Sequence, residues 1–106
     1  VLQGQNLQLM LQRQFVHVSH ITDFSKLSIP FTAVVSDLAT GATVVLGSGS
    51  LVLAVRASMS VPGLYAPVEL DGRLLVDGGI ANNLPIDVAR QMGVHLVIAI
   101  DIATPL

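Results

Sequence analysis

Three apolar runs of strand length, each leading into an aspartate, most constrain what this chain can fold into. Phe31 to Ser36 precedes Asp37, Leu74 to Val76 precedes Asp77, and Val94 to Ile100 precedes Asp101. Short apolar runs bounded by glycine, proline and polar residues predict buried strands. Only Asp77 is followed by paired glycines, Gly78 and Gly79, which let other backbone approach closely. In open α/β sheets chemistry gathers outside the carboxyl ends of strands, so an acid placed there is a general-base candidate. Asp-Gly is also the commonest hairpin punctuation, and the tripeptide taken alone favours a turn.

The segments between the runs predict a mixed α/β layer. Leu7 to Phe15 has good helix formers with apolar residues at 7, 10 and 11, which predicts an amphipathic helix. His17 to Leu27 is a mostly polar connector. Ile29-Pro30 opens the first strand, Asp37 to Gly41 turns it, and Ala42 to Leu46 is the returning strand of a hairpin. Ser48 or Ser50 is placed to cap a helix running to about Met59, ended by Pro62-Gly63. On that helix Leu51, Ala54, Val55 and Ser58 share one face, and Arg56 points elsewhere. Val68 to Val76 is a hairpin turned by Asp71-Gly72. Pro85 suits the first position of a helix through Met92, with Asn83 as cap and Gly93 as stop. Val94 to Ile100 then predicts a strand covered on both faces, with His95 as a hydrogen-bonded structural residue within it.

At 106 residues this is one domain or part of one. Charged residues make up 11% and the mean hydropathy is +0.73, whereas an ordinary soluble domain is about 25% charged. So small a domain leaves much of its surface in water, and this chain has little with which to coat it. Its apolar faces expect cover from more polypeptide, a second copy in a homo-oligomer, or lipid. Five Lys+Arg and a net charge of −2 provide no basic stripe for phosphates, which argues against nucleic acid. With no cysteine there is no disulfide frame, thiolate zinc site or cysteine nucleophile. Leu38 to Val55 is uncharged and long enough to raise a membrane span, but its glycines at 41, 47 and 49 divide it into strand, loop and helix.

The ordered set of Arg56-Ala57-Ser58-Met59-Ser60-Val61-Pro62, Leu64-Tyr65-Ala66-Pro67, and Asp77-Gly78-Gly79 with Asn83 and Pro85 closely resembles the second half of a patatin-like phospholipase domain. Ile29-Pro30-Phe31 leading to Ser36-Asp37-Leu38 and Thr40-Gly41 resembles the bacterial branch, similar to the neuropathy-target-esterase type. The resemblance runs from about Leu7 to Ala103. It implies a serine acyl hydrolase on a three-layer α/β/α sheet, working through a Ser-Asp dyad without histidine. The serine belongs to a Gly-x-Ser-x-Gly elbow, and an upstream glycine-rich loop supplies oxyanion donors. Asp77 matches the dyad aspartate, and Gly78 and Gly79 complete its motif. No metal or organic cofactor is implied. The implied substrate is a phospholipid or related acyl lipid, met in transient contact with a membrane surface.

The chain contains neither the elbow nor the oxyanion loop. Gly47-Ser48-Gly49-Ser50 lacks a glycine two residues after either serine, so helix capping explains it better than nucleophilic chemistry. Residues 1–106 therefore read as the C-terminal part of a single acyl hydrolase domain, silent alone and completed by a nucleophile-bearing N-terminal half. A degenerate, non-catalytic module that binds lipid or protein is the alternative; a different α/β hydrolase in which Asp77 is only a turn is a weaker one. Asp37 starts a tight turn and is assigned to structure; Asp101 caps or faces the site mouth. His17 and His20 are spaced for one helix face, but no third metal ligand stands beside them. Arg56, a lone charge in an apolar helix, is expected to pair with a carboxylate or carbonyls and fix the loop after it. Met59, Val61, Leu64 and Tyr65 read equally as core or as an acyl-chain wall.

Overall fold

The computed structural model describes residues 5–100. Its centre is a four-stranded antiparallel sheet of β1 (Ala33–Asp37), β2 (Thr43–Leu46), β3 (Val68–Leu70) and β4 (Arg73–Asp77), in the order β2-β1-β4-β3. The helices are α1 (Gln5–Gln14), α2 (Leu51–Ser58) and α3 (Ile86–Gln91). This is part of an α/β fold, as the sequence predicts.

Local chemistry accounts for most of the elements. Asp71 and Gly72 take φ of 52° and 76°, the left-handed pair that a two-residue hairpin turn demands, and so join β3 to β4. The Ser50 hydroxyl accepts the Leu53 N–H at 3.2 Å and starts α2, so the capping role falls to Ser50 rather than Ser48. The uncharged stretch from 38 to 55 is accordingly turn, strand and capped helix. No helix among the described residues is long and apolar enough to cross a membrane.

The core forms where α2 meets the sheet. Val35, Ala57 and Leu75 make one buried cluster, and Phe24, Ala33, Leu51 and Ala54 make another beneath the connector after α1. Phe24 is fully buried, its N–H donating to the Gly47 carbonyl at 3.0 Å. The β1–β4 register pairs Val35 with Asp77, Ser36 with Val76 and Asp37 with Leu75. Directly opposed residues share a face and alternate residues change it, so Asp77 projects on the side of Val35 and Leu75, where α2 packs.

Three expectations need correction. Residues 94–100 form no strand; Leu96, Ile98 and Ile100 are each at least 77% exposed, and His95 is exposed with them. A strand covered on both faces needs hydrogen-bonded neighbours, and no described strand pairs with this run. Asn83 does not cap α3, which begins at Ile86 after Pro85 without a side-chain cap; Asn82 instead bonds Asp87 in its first turn at 2.9 Å. Arg56 is not turned away from the packed side of α2 but is 2% exposed.

Candidate active site

β4 delivers Asp77 to the end of the sheet, and the chain then coils into a single 3₁₀ turn, Gly78–Ile80. The Asp77 carboxylate caps that turn, its Oδ1 accepting the Gly79 N–H at 2.9 Å. Its main-chain N–H donates to the Ser60 carbonyl at 2.9 Å, fixing the residue to the loop that follows α2. The turn is held in place by β1: the buried Ser36 hydroxyl accepts the Ala81 N–H at 3.1 Å. Backbone position and carboxylate orientation are thus set by different partners.

The two glycines meet different neighbours in this geometry. A Cβ on Gly78 would fall 2.4 Å from the Val34 carbonyl oxygen, so only glycine lets β1 and the turn come together. A Cβ on Gly79 would lie 3.0 Å from Asn83 Oδ1 and 3.4 Å from Asp77 Oδ1, against the carboxylate itself.

Asp77 is half-buried and lines an open cleft of about 300 Å³. Ser58 from the last turn of α2, Thr32 before β1, and Asn82 and Asn83 after the glycine turn supply the other polar groups. Phe31 and Pro85 add apolar surface. Among the described residues the cleft is lined by a single carboxylate and no cationic side chain. Sequence inspection missed Ser58, Ser60 and Ser36. Ser58 and Ser60 stand in the Arg56–Pro62 segment and Ser36 in the Ser36-Asp37-Leu38 segment that carry the family resemblance, but nothing in those segments announces a hydrogen-bonding role.

The other candidates lie elsewhere. Asp37 ends β1 and its Oδ1 accepts the N–H groups of Ala39 (2.9 Å) and Thr40 (3.3 Å), the bonding of a tight turn. Asp101 lies outside the described residues. His17 and His20 are exposed, and among the described residues no three His, Cys, Asp or Glu side chains gather. Met59, Val61 and Leu64 are 42–51% exposed, so they are not core among the described residues. Arg56 does grip the loop after it, through the Ala66 carbonyl at 3.2 Å and the face of Tyr65 at 5.3 Å.

Comparison with known proteins settles the lineage of this arrangement. The profile described as patatin-like phospholipase matches residues 2–90. This chain belongs to the patatin-like phospholipase family. It is 49% identical over 78 residues to mouse patatin-like phospholipase domain-containing protein 7, a stretch that covers 72% of this chain and 6% of that protein. It is 46% identical over 78 residues to human patatin-like phospholipase domain-containing protein 6, again 72% of this chain and 6% of the relative. An uncharacterized NTE family protein of Mycobacterium tuberculosis is 46% identical over 77 residues, which is 73% of this chain and 21% of the relative. The shared stretch is therefore a small part of each relative, and the residues 2–90 that match the family model include the Asp-Gly-Gly turn.

Proposed function

We propose that this chain is the aspartate-bearing part of a lipid ester hydrolase, with Asp77 as the general base of a Ser-Asp dyad. Residues 1–106 supply the C-terminal part of a single catalytic domain. A nucleophile-bearing half contributes the Gly-x-Ser-x-Gly elbow and the oxyanion donors. The observation that carries this reading is the Asp77 carboxylate itself, held by Gly79 at the end of β4 and opening on a cleft.

The chemistry follows from how the carboxylate is held. With Oδ1 bonded to Gly79, Oδ2 is the oxygen that takes the serine proton as the serine oxygen attacks the ester carbonyl carbon. The tetrahedral oxyanion is stabilised by backbone N–H donors. As the intermediate collapses, the carbon–oxygen bond to the leaving alcohol breaks and the proton on Asp77 passes to that oxygen. The regenerated carboxylate then deprotonates water for attack on the acyl carbon; as the bond from that carbon to the serine oxygen breaks, Asp77 returns the proton to the serine, freeing the fatty acid and restoring both groups. No metal or organic cofactor takes part. The substrate class is a phospholipid or another acyl lipid, encountered at a bilayer or micelle surface.

The test is a fluorophosphonate probe and ester turnover, both measured on the complete domain. Labelling of a serine in the nucleophile-bearing half, with turnover lost in Asp77→Asn at unchanged folding, supports the assignment. Turnover in Asp77→Asn equal to that of the parent discards Asp77 as the base. Absence of labelling and turnover with lipid or protein affinity retained supports a non-catalytic binding module instead.

A further inference from the structure

Ser60 is fully buried in a loop that is otherwise largely exposed, and every polar group it carries is engaged. Its N–H donates to the Ala57 carbonyl at 3.0 Å, and its hydroxyl donates to the Arg56 carbonyl at 2.8 Å. That hydroxyl also accepts a hydrogen bond from Arg56 Nη1. Its carbonyl, at last, accepts the Asp77 N–H at 2.9 Å. Arg56, itself 2% exposed, spreads its guanidinium further to the Ala66 carbonyl and the Tyr65 ring.

Burying a guanidinium is costly, and a helix end can be closed by far cheaper residues. A planar cation with several divergent donors accomplishes something an aliphatic residue cannot: it fixes the start and the end of the Met59–Ala66 loop relative to each other. Ser60 carries that order to the sheet, because its carbonyl is the acceptor that sets the height of Asp77 along β4.

We propose that Arg56 and Ser60 form a positioning clamp that sets where the Asp77 carboxylate stands relative to the serine it serves. The clamp reaches Asp77 through its backbone. Arg56 holds Ser60, Ser60 holds the Asp77 amide, and the carboxylate follows. This rests on Asp77 being the base, as proposed above. Neither Arg56 nor Ser60 touches substrate in this scheme.

The test measures kcat, KM and thermal melting in the complete domain for Arg56→Lys, Ser60→Ala, their double variant and Asp77→Asn. Lysine keeps the charge but cannot reach divergent acceptors in one plane, and Ser60→Ala leaves the carbonyl while releasing its grip on Arg56. Each single variant is expected to lower kcat about 10- to 100-fold, since small misplacements of a catalytic group are that expensive. KM should stay within about twofold, because no substrate contact is removed. The double variant should be hardly worse than Arg56→Lys, as expected of residues acting in one chain. Melting temperatures that fall while kcat of the folded enzyme stays at the parent value overturn the clamp and leave Asp77 as base. Additive losses of kcat in the double variant overturn the coupling. If Asp77→Asn retains full turnover, the base assignment fails and the clamp falls with it.

Discussion

The backbone of Gly78 approaches Val34 so closely that any side chain at position 78 would begin 2.4 Å from the Val34 carbonyl oxygen and 2.8 Å from its carbonyl carbon. The obstacle is backbone of a central strand, which cannot swing aside as a side chain can. Gly78→Ala must therefore push the turn away from β1 and strain the Ser36–Ala81 hydrogen bond behind it. Overpacking of this kind costs about 2–3 kcal/mol. Chemical denaturation of the complete domain should show the loss directly, and an unchanged midpoint would mean that the turn and β1 are not pressed together.

Gly79 should behave differently. The atoms an added Cβ would meet are the ends of the Asn83 and Asp77 side chains, which can rotate. Gly79→Ala is expected to cost under about 1 kcal/mol of stability but to displace the carboxylate, lowering ester turnover by roughly 10-fold. A variant as active as the parent would show that carboxylate orientation does not limit the reaction.

The serines of Gly47-Ser48-Gly49-Ser50 separate capping from catalysis. Ser50 accepts the Leu53 N–H, so Ser50→Ala should cost about 1 kcal/mol through loss of the helix cap. Ser48 makes no side-chain cap, and Ser48→Ala should leave the melting temperature where it was. Neither change should reduce fluorophosphonate labelling of the complete domain. Loss of labelling in either would return that serine to candidacy as a nucleophile.

Much of this arrangement was legible because its causes are local. Asp71-Gly72 can hardly do anything but turn a hairpin, Ser50 stands one residue before an apolar helix, and Asp77-Gly78-Gly79 announces backbone crowding at a strand end. What escaped depends on distant partners. The sequence predicts that Arg56 fixes the loop after it but not which groups receive it, Ser60, the Tyr65 ring and the Ala66 carbonyl, because the path of the loop brings the last two to it. Ser36 gave no sign that it would hold a turn far along the chain. The run from Val94 to Ile100 reports a need for burial, which is not the same as a strand; pairing requires a neighbour, and none of the described strands supplies one.

A pH dependence follows from Asp23. Its Oδ1 accepts the Ser25 hydroxyl at 2.7 Å and the Ser25 N–H at 3.0 Å, and these bonds hold its carboxyl below the ordinary value of 3.8. A depressed folded-state pKa means that the stabilisation is complete above the ordinary value and is lost as pH falls through the folded one. The side chain is exposed, so the effect is small and local to the 3₁₀ turn Phe24–Lys26. The melting temperature should decline as pH drops below about 4, and Asp23→Asn should flatten part of that decline. An identical slope in the variant would assign the acid sensitivity to other carboxylates, of which Asp87, lowered by its bond from Asn82, is the first candidate.

The two strand-end aspartates, Asp37 and Asp77, provide the sharpest contrast. They leave adjacent antiparallel strands at opposite ends of the sheet, and each accepts a backbone N–H two residues on. Composition and position alone do not tell them apart; surroundings do. Asp37 spends its Oδ1 on two amides of an exposed turn and has Arg73 Nε 4.0 Å from its Oδ2, whereas Asp77 opens on the cleft. Asp37→Ala should therefore cost about 1–2 kcal/mol of stability and leave turnover of the folded protein unchanged. Asp77→Asn keeps a carbonyl oxygen for the Gly79 N–H, so stability should hold, while loss of the base lowers turnover roughly 100- to 10,000-fold. Ester hydrolysis measured beside thermal melting for the two variants decides the matter. If Asp37→Ala abolishes turnover at intact folding, or Asp77→Asn spares it, the roles given to the two carboxylates are wrong.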